Sequence, residues 1–405
     1  MGLVKQAWLE DQERGWSAPD TWVCDRCVED SFLKQLIRDN ADERACSYCA
    51  RRGRKAIAAP AEVVLEAIAA TVFRFYADPS QAGVPYDGGF IIEPTYTENV
   101  LLSLPLNCHA DFFEAVVDAF GGAAWVPAAE GHWLTDHEHV ILRDSWGGFV
   151  RAVEHETRFH FAVAPPDSSA GPLELSPGQV LSTIGNVVGG LGLIRTIAAG
   201  STVHRARQRD DPKSWQPDAT TMGPPPPELA RAGRMNPAGI SYFYCALERG
   251  TAVAEVVSSP PVELVIAEYK VMRELNVLNL CDLPDPPSLF DASRALEHEW
   301  HTFIDGFVAE ISQPVRKDGR EHIDYVPSQV VCEWFAQAFQ LPDKAKPLDG
   351  LIYPSAVARN GKNLVLFPST RGYERTFSTV EYLSSEVVNL PDRSAAMAAL
   401  GIRRP

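Results

Sequence analysis

Five short stretches in the second half of the chain gather residue types that do chemistry. They are His204-Arg205-Ala206-Arg207, the run from Gly233-Arg234 through Asn236 to Gly239, Tyr242-Phe243-Tyr244, the run from Thr251 to Glu255, and Tyr353-Pro354-Ser355. Planar guanidinium groups hold anionic oxygens through paired hydrogen bonds, so Arg205 and Arg234, with Arg207 behind them, are candidate anion-binding groups. Taken singly, each would pass for a surface or ion-paired arginine. Two of them beside a glycine-punctuated loop point to a bound anion. Glu255 sits in the apolar frame Ala252 to Val257, where a carboxylate is costly unless it has partners or a purpose. The bland alternative is the solvent edge of a helix. Tyr244 offers a ring face and a hydroxyl. Ser355 follows a proline and on its own reads as turn chemistry.

Cysteines make a second candidate site. Cys24, Cys27, Cys46 and Cys49 form two CxxC pairs with eighteen residues between them. Each pair can turn two thiolates toward one ion, which is the pattern of a closed, structural tetrahedral Zn²⁺ site. Two disulfides or a redox pair are the alternatives, and a cytoplasmic setting without a flanking strand–helix redox context disfavours both. Cys108, Cys245, Cys281 and Cys332 stand apart in mostly apolar surroundings and read as buried small hydrophobes. The basic run Arg51, Arg52, Arg54 and Lys55 follows the last CxxC; it reads as a solvated turn before it reads as a phosphate contact.

The elements that must position these groups form an α+β pattern. Helices are expected over Pro60–Tyr76, Asp111–Phe120 and Trp146 to about Arg158, and again from about Pro177. Strand-like runs follow at Ser241–Ala246, Glu263–Tyr269, Val277–Leu280, Gly350–Tyr353 and Asn363–Phe367, interleaved with helices over Ser288–Ile311 and Ser328–Phe339. A break at Ala164–Pro172 marks a boundary. The resulting division is a cysteine knuckle over 1–59, a helical domain over 60–165, a connecting helix over 166–200 and a catalytic domain over 201–390. Gly189-Gly190-Leu191-Gly192 lacks a preceding strand and reads as a helix end rather than a dinucleotide fingerprint. His298 and His301 lack a third metal ligand and read as a helix face.

The five stretches, in this order and spacing, resemble the RES domain, named for its Arg, Glu and Ser. The resemblance covers about Ser201 to Ser369. The front half resembles the helical HEPN-type domain found ahead of some RES domains, on the CxxC pairs and the Trp146, Phe149, His155, Arg158-Phe159 pattern. HEPN ribonucleases carry an Arg followed after four to six residues by a His; Arg151 and His155 leave only three between them, a departure that argues against RNA cleavage.

The RES resemblance implies an ADP-ribosyltransferase-like fold and the destruction of NAD⁺ by a toxin or defence effector. The bond between nicotinamide and ribose would break, with ADP-ribose passing to water or phosphate. It also implies that Arg205, Arg207 and Arg234 hold the pyrophosphate, that Glu255 steadies the cationic sugar, and that Tyr244 stacks on the nicotinamide or bonds near the ribose. Ser355 would hold the ribose or fix the Glu255 rotamer, while Tyr325 and Gln329 would line the pocket. Transfer of ADP-ribose onto a protein or nucleic acid is one alternative, and a non-catalytic binding module for a partner or nucleic acid is another. An antitoxin or sensor protein is the expected partner.

Composition narrows the field. The net charge of −16 argues against a bulk nucleic-acid-binding surface, because phosphate neutralisation drives such binding. No apolar run is long enough for a membrane span, the start lacks a secretory pattern, and Gln6 stands where a myristoylation motif needs Ser or Thr. A cytoplasmic location is expected.

Overall fold

The computed structural model of the protein describes residues 11, 13–161, 175–211, 213–257, 262–313, 319–340, 348–368 and 379–390. The chain divides into two compact units, one of residues 1–140 with 286–299, the other of 141–285 with 300–405. The break expected at Ala164–Pro172 lies outside the described residues.

In the first unit a short hairpin-like pair, β1 (Trp22–Cys24) and β2 (Ala58–Pro60), runs antiparallel with Val23 opposite Ala59. Between them lies α1 (Ser31–Asp39), whose N-terminus is capped by the Asp30 carboxylate accepting from the Phe32 and Leu33 amides, as orphan first-turn N–H groups require. Helix α2 (Ala61–Phe75) starts directly after Pro60, and Val64, Leu65, Ile68 and Val72 form its buried stripe. A small sheet in the order β3 (Tyr76–Ala77), β5 (Ala124–Pro127), β4 (Thr95–Tyr96) accompanies α3 (Thr97–Ser103) and α4 (Ala110–Ala119). This region is thus less purely helical than its sequence suggests. Its core joins Val23, Leu33, Ile37, Leu65, Ile68 and Phe112, so the knuckle and the helices behind it share one apolar interior.

The second unit is organised by an eight-stranded sheet. Helix α5 (Glu138–Arg151) runs into a single π-helical turn, Ala152–Glu156, and α6 (Pro177–Gly190) opens with a capping box between Ser176 and Gln179. Leu142, Trp146, Phe149 and Val153 recur at helical spacing and are buried, which is why α5 begins eight residues before Trp146. The strands are β6 (Ile194–Ile197), β7 (Thr202–Arg209), β8 (Phe243–Ala246), β9 (Val262–Val271), β10 (Leu275–Asn279), β11 (Gly350–Pro354), β12 (Lys362–Leu366) and β13 (Val380–Leu390). Their order is β13-β9-β7-β8-β12-β11-β10-β6, antiparallel throughout except for β10 beside β11. Helices α7 (Arg249–Val256), α8 (Ala295–Ser312), α9 (Glu321–Asp324) and α10 (Val326–Gln337) complete it.

Two features of this sheet position a site. Strand β7 pairs with β9 over its whole length, from Thr202 opposite Lys270 to Arg209 opposite Glu263, yet meets β8 only at His204 opposite Ala246. Beyond that pair the sheet opens. Helix α7 then packs on β7, β8, β9 and β12, with Ala252 and Val253 set against Ala206, Ala246, Leu264 and Ile266. Its last turn brings Glu255 to the opening.

Candidate active site

The opening between β7 and β8 forms a cavity of about 460 Å³, lined among others by His204, Arg205, Arg207, Tyr244, Glu255 and Asn363. Four of the eight residues expected at the site, Arg205, Arg207, Tyr244 and Glu255, therefore line one space. Alternation along β7 sends Arg205 and Ala206 to opposite faces of the sheet; the gap beside β8 is what lets both line the same cavity.

Arg205 donates from Nη1 to the Tyr244 carbonyl at 2.7 Å, a carbonyl on the β8 edge that β7 leaves unpaired. Its guanidinium lies 5.2 Å from the centre of the Phe243 ring, and its Nε is buried with no hydrogen-bond partner. No carboxylate pairs with it among the described residues. Arg209, two turns of alternation along the same strand, shows the contrast: it is buried and ion-paired with Glu263. Burial lowers the Arg205 pKa, though a guanidinium keeps its charge at any ordinary pH. A half-buried cation without an ion-pair partner among the described residues, and with a buried orphan Nε–H, is equipped to receive an anion.

Glu255 is held by two donors on one oxygen. Ser355 Oγ donates to its Oε1 at 2.7 Å and Asn363 Nδ2 to the same atom at 2.6 Å. Oε2 has no hydrogen-bond partner among the described residues. Ser355 is fixed in turn, because its Oγ accepts from the amides of Val357 and Ala358 at 3.2 and 2.9 Å. The serine does not line the cavity; it acts on Glu255. Asn363 is the residue that sequence reasoning missed. It is 5% exposed, on β12, opposite Ala246, and the available signal was an amide among apolar neighbours in Lys362-Asn363-Leu364-Val365-Leu366.

Of the two roles expected of Tyr244, stacking by its ring and a hydrogen bond near the ribose, the second is closed to its hydroxyl. Its hydroxyl donates to Asn236 Oδ1 at 2.7 Å and accepts from the Met235 amide at 3.1 Å. Both capacities are used inside the loop, so only the ring and the carbonyl of Tyr244 serve the cavity. Burial pushes its pKa above the ordinary phenol value. Asn236 is the hub of the same loop, its Nδ2 reaching the carbonyls of Arg231, Pro237 and Ile240. Gly233 is required here, since a Cβ would lie 2.6 Å from Asn236 Oδ1 and 2.8 Å from the Tyr244 hydroxyl.

Arg234 stands apart. Its Nη1 donates to the Ser312 carbonyl at 2.5 Å, and it lines a separate small hollow with Glu154, Glu310, Asp324 and Tyr325. The loop that Asn236 and Tyr244 tie down turns this guanidinium toward α8 and away from Glu255. Gln329 likewise braces the loop, donating to the carbonyls of Gly233 and Asn236, and neither it nor Tyr325 lines the cavity. Arg207 does; it donates to the Thr221 carbonyl and lies 5.1 Å from the Trp215 ring. Burial lowers the His204 pKa, keeping this lining residue neutral at pH 7.

In the first unit the four CxxC cysteines converge. Their sulfur atoms all lie within 4.8 Å of one another, and Cys24–Cys27, Cys24–Cys49 and Cys27–Cys46 are 3.8, 3.6 and 3.6 Å apart. Four thiolates about 2.3 Å from one tetrahedral ion would be roughly 3.8 Å apart, so the set fits a single ion; the separations are far beyond an S–S bond of about 2.05 Å. Asp25, between the first two cysteines, ion-pairs with Arg51 just past the second CxxC and with Arg38 of α1. Among the described residues no other metal-ligand cluster is present. His298 and His301 lie on α8, and Arg51 is consumed by Asp25 rather than left for a phosphate.

An α+β sheet domain with a gap between two inner strands, a half-buried arginine and a pinned carboxylate, in a chain that also carries a cysteine-bearing unit, is the class of molecule defined by these observations. A family model described as RES domain matches residues 202–382, and one described as HEPN/RES N-terminal domain 1 matches residues 39–167. Residues 202–382 thus carry a RES domain and residues 39–167 a HEPN/RES N-terminal domain. Among curated proteins no relative matches. Among solved structures, a chain from the crystal structure of the M.tuberculosis MbcT-MbcA toxin-antitoxin complex is 15% identical, covering 52% of this chain and 94% of that one. Its TM-score of 0.28 is too low for the likeness to bear on fold or function. No helix among the described residues is long and apolar enough to cross a membrane.

Proposed function

We propose that this protein cleaves NAD⁺ between nicotinamide and ribose, passes ADP-ribose to water or phosphate, and acts as a toxin or defence effector. The observation that supports this most directly is the cavity shared by a half-buried Arg205, which has no ion-pair partner among the described residues, and a doubly anchored Glu255. When the bond breaks, its electron pair leaves on the nicotinamide nitrogen and positive charge develops on the ribose. Nicotinamide departs neutral, so a strong general acid is not needed. The requirement is a fixed negative charge beside the sugar, which Glu255 Oε2 supplies, since Oε1 is engaged by Ser355 and Asn363. Arg205 and Arg207 are the groups we assign to the pyrophosphate, with Arg234 assigned to bracing the loop. Preorganisation by Ser355 and Asn363 removes the rotamer freedom the carboxylate would otherwise lose at the transition state.

In the same reading the cysteine cluster holds a structural Zn²⁺, which supplies folding energy and no open coordination position. The partner is an antitoxin or a sensor protein that governs access to the cleft.

The test is to incubate the purified chain with NAD⁺, with and without phosphate, and follow free nicotinamide. Release that falls by at least about a hundredfold in Glu255→Ala is expected, the scale on which lost transition-state charge stabilisation is felt. Equal release by wild type and Glu255→Ala, or none under any acceptor condition, would overturn it. Radiolabel retained on a macromolecule would point instead to ADP-ribosyl transfer.

A further inference from the structure

The cavity holding Glu255 is one half of a longer cleft. Arg205, Arg207 and Tyr244 line it and also line a second hollow of about 760 Å³, walled further by Thr221, the run Pro224 to Pro226 and Arg231. Both hollows fall in the range of roughly 300–1,000 Å³ occupied by small-molecule sites. If the reacting ribose lies by Glu255, the pyrophosphate falls at the shared arginines and the adenosine half enters the second hollow.

The lining of that second hollow bears on which dinucleotide it selects. In doubly wound dinucleotide-binding folds a carboxylate that accepts from the adenosine 2′-hydroxyl selects an unphosphorylated ribose, whereas an arginine accommodates a 2′-phosphate, and the same chemistry applies to any pocket that holds this ribose. No Asp or Glu lines this hollow among the described residues, while Arg205, Arg207 and Arg231 all do. Asp218, near it in sequence, is spent on Thr221, accepting from its amide at 2.7 Å and its hydroxyl at 3.0 Å. Arg231 is exposed, and its guanidinium has no ion-pair partner among the described residues. With Arg205 and Arg207 engaged by the pyrophosphate, it is the cation left over.

We infer that the cleft accepts dinucleotides bearing a 2′-phosphate on the adenosine ribose, the NADP⁺ class, with Arg231 as the residue that meets the added phosphate. This rests on the dinucleotide reading above and specifies its substrate class. The extra phosphate carries nearly two negative charges at neutral pH, which an arginine meets with paired, charge-assisted hydrogen bonds.

Two measurements on the full chain separate this inference from the reading beneath it. The first is kcat/KM for nicotinamide release from NAD⁺ and from NADP⁺. The second is calorimetric binding of adenosine 2′,5′-bisphosphate against 5′-AMP, which probes the second hollow without any chemistry. Expected are a kcat/KM for NADP⁺ no more than about tenfold below that for NAD⁺, and at least about tenfold tighter binding of the bisphosphate, the worth of one charge-assisted interaction. Arg231→Ala should erase most of that binding preference and Arg231→Lys should retain part of it. If NAD⁺ is cleaved while NADP⁺ falls below that limit, or the two nucleotides bind alike, the inference is overturned and the NAD⁺ reading stands. If neither dinucleotide is cleaved but the bisphosphate is preferred, the phosphate site is upheld and the reaction is overturned. Absence of both cleavage and preference overturns both.

Discussion

Ser355 and Asn363 converge on the same oxygen of Glu255, although one arrives from the turn after β11 and the other from β12. Two donors on Oε1 fix the carboxylate plane and leave Oε2 the more basic edge. Neither donor touches the sugar in the reading proposed here; both are positioning residues. Removing a supporting hydrogen bond of this kind typically costs about 10- to 100-fold in activity. Ser355→Ala and Asn363→Ala should each lower kcat by that order and change KM less. Because both act through one side chain, the double variant should lose less than the product of the two single losses. Single-turnover nicotinamide release measures this, and strictly multiplicative losses would show that the two residues act independently of each other and not through one shared side chain. Ser355 was legible because the RES pattern names it. Asn363 was not, because an amide in an apolar strand announces neither its face nor its partner until β12 is set beside β8.

At the scale of elements, the run from Gly233 to Gly239 shows where legibility ends. Its glycines and Asn236 were correctly seen as special, since a Cβ at Gly233 would collide with Asn236 and Tyr244. The direction of the Arg234 side chain was not, because it is set by α8, seventy-eight residues away in sequence, through the Ser312 carbonyl. Strand β7 was missed for a related reason. Thr202–Arg209 reads as a charged, exposed stretch, and only its pairing with β9 makes it a strand. Local patterning recovers α2, α6 and the apolar β11, whose burial follows their own periodicity; it does not recover β7, β6 or β13, whose partners decide them. The cysteine pairs were fully legible because four thiolates at this spacing have few other uses. The corresponding prediction concerns order as well as composition. Purified protein should contain about one zinc ion per chain, and its removal by chelator, or Cys46→Ser, should raise amide exchange across β1, α1 and β2. Zinc below about a tenth of an equivalent, with exchange in these elements unchanged by chelator, would refute a metal-held knuckle.

Across the whole molecule, several half-buried groups respond to acid in the same direction. Burial lowers the pKa of His137, His204 and His298 below the ordinary histidine value. At neutral pH these residues are uncharged, folded or unfolded; below about pH 6.5 the unfolded chain takes up protons that the folded chain resists. The unfolded state then binds more protons, so stability falls as pH drops. Glu299 adds to this: burial would raise its pKa, but hydrogen bonds and charge from His139 outweigh burial and lower it. Asp25 behaves alike beneath Arg38 and Arg51, so these carboxylates contribute stability that is lost as pH falls through the acid range. Glu154, whose pKa burial raises, works in the opposite sense. A chain of net charge −16 also gains on acidification as self-repulsion falls, which sets a global term against the local ones. Salt separates them, because interactions between exposed charges are screened over about 8 Å at 0.15 M whereas the desolvation of half-buried histidines is affected much less. The expected result at 0.15 M salt is a melting temperature that declines from pH 7.5 to 5 and more steeply below 4. The first limb should flatten when His137, His204 and His298 are replaced by glutamine. At low salt the relief of repulsion should offset part of the decline. A melting temperature that rises on acidification at 0.15 M salt would mean that net charge, and not the half-buried histidines, governs acid stability.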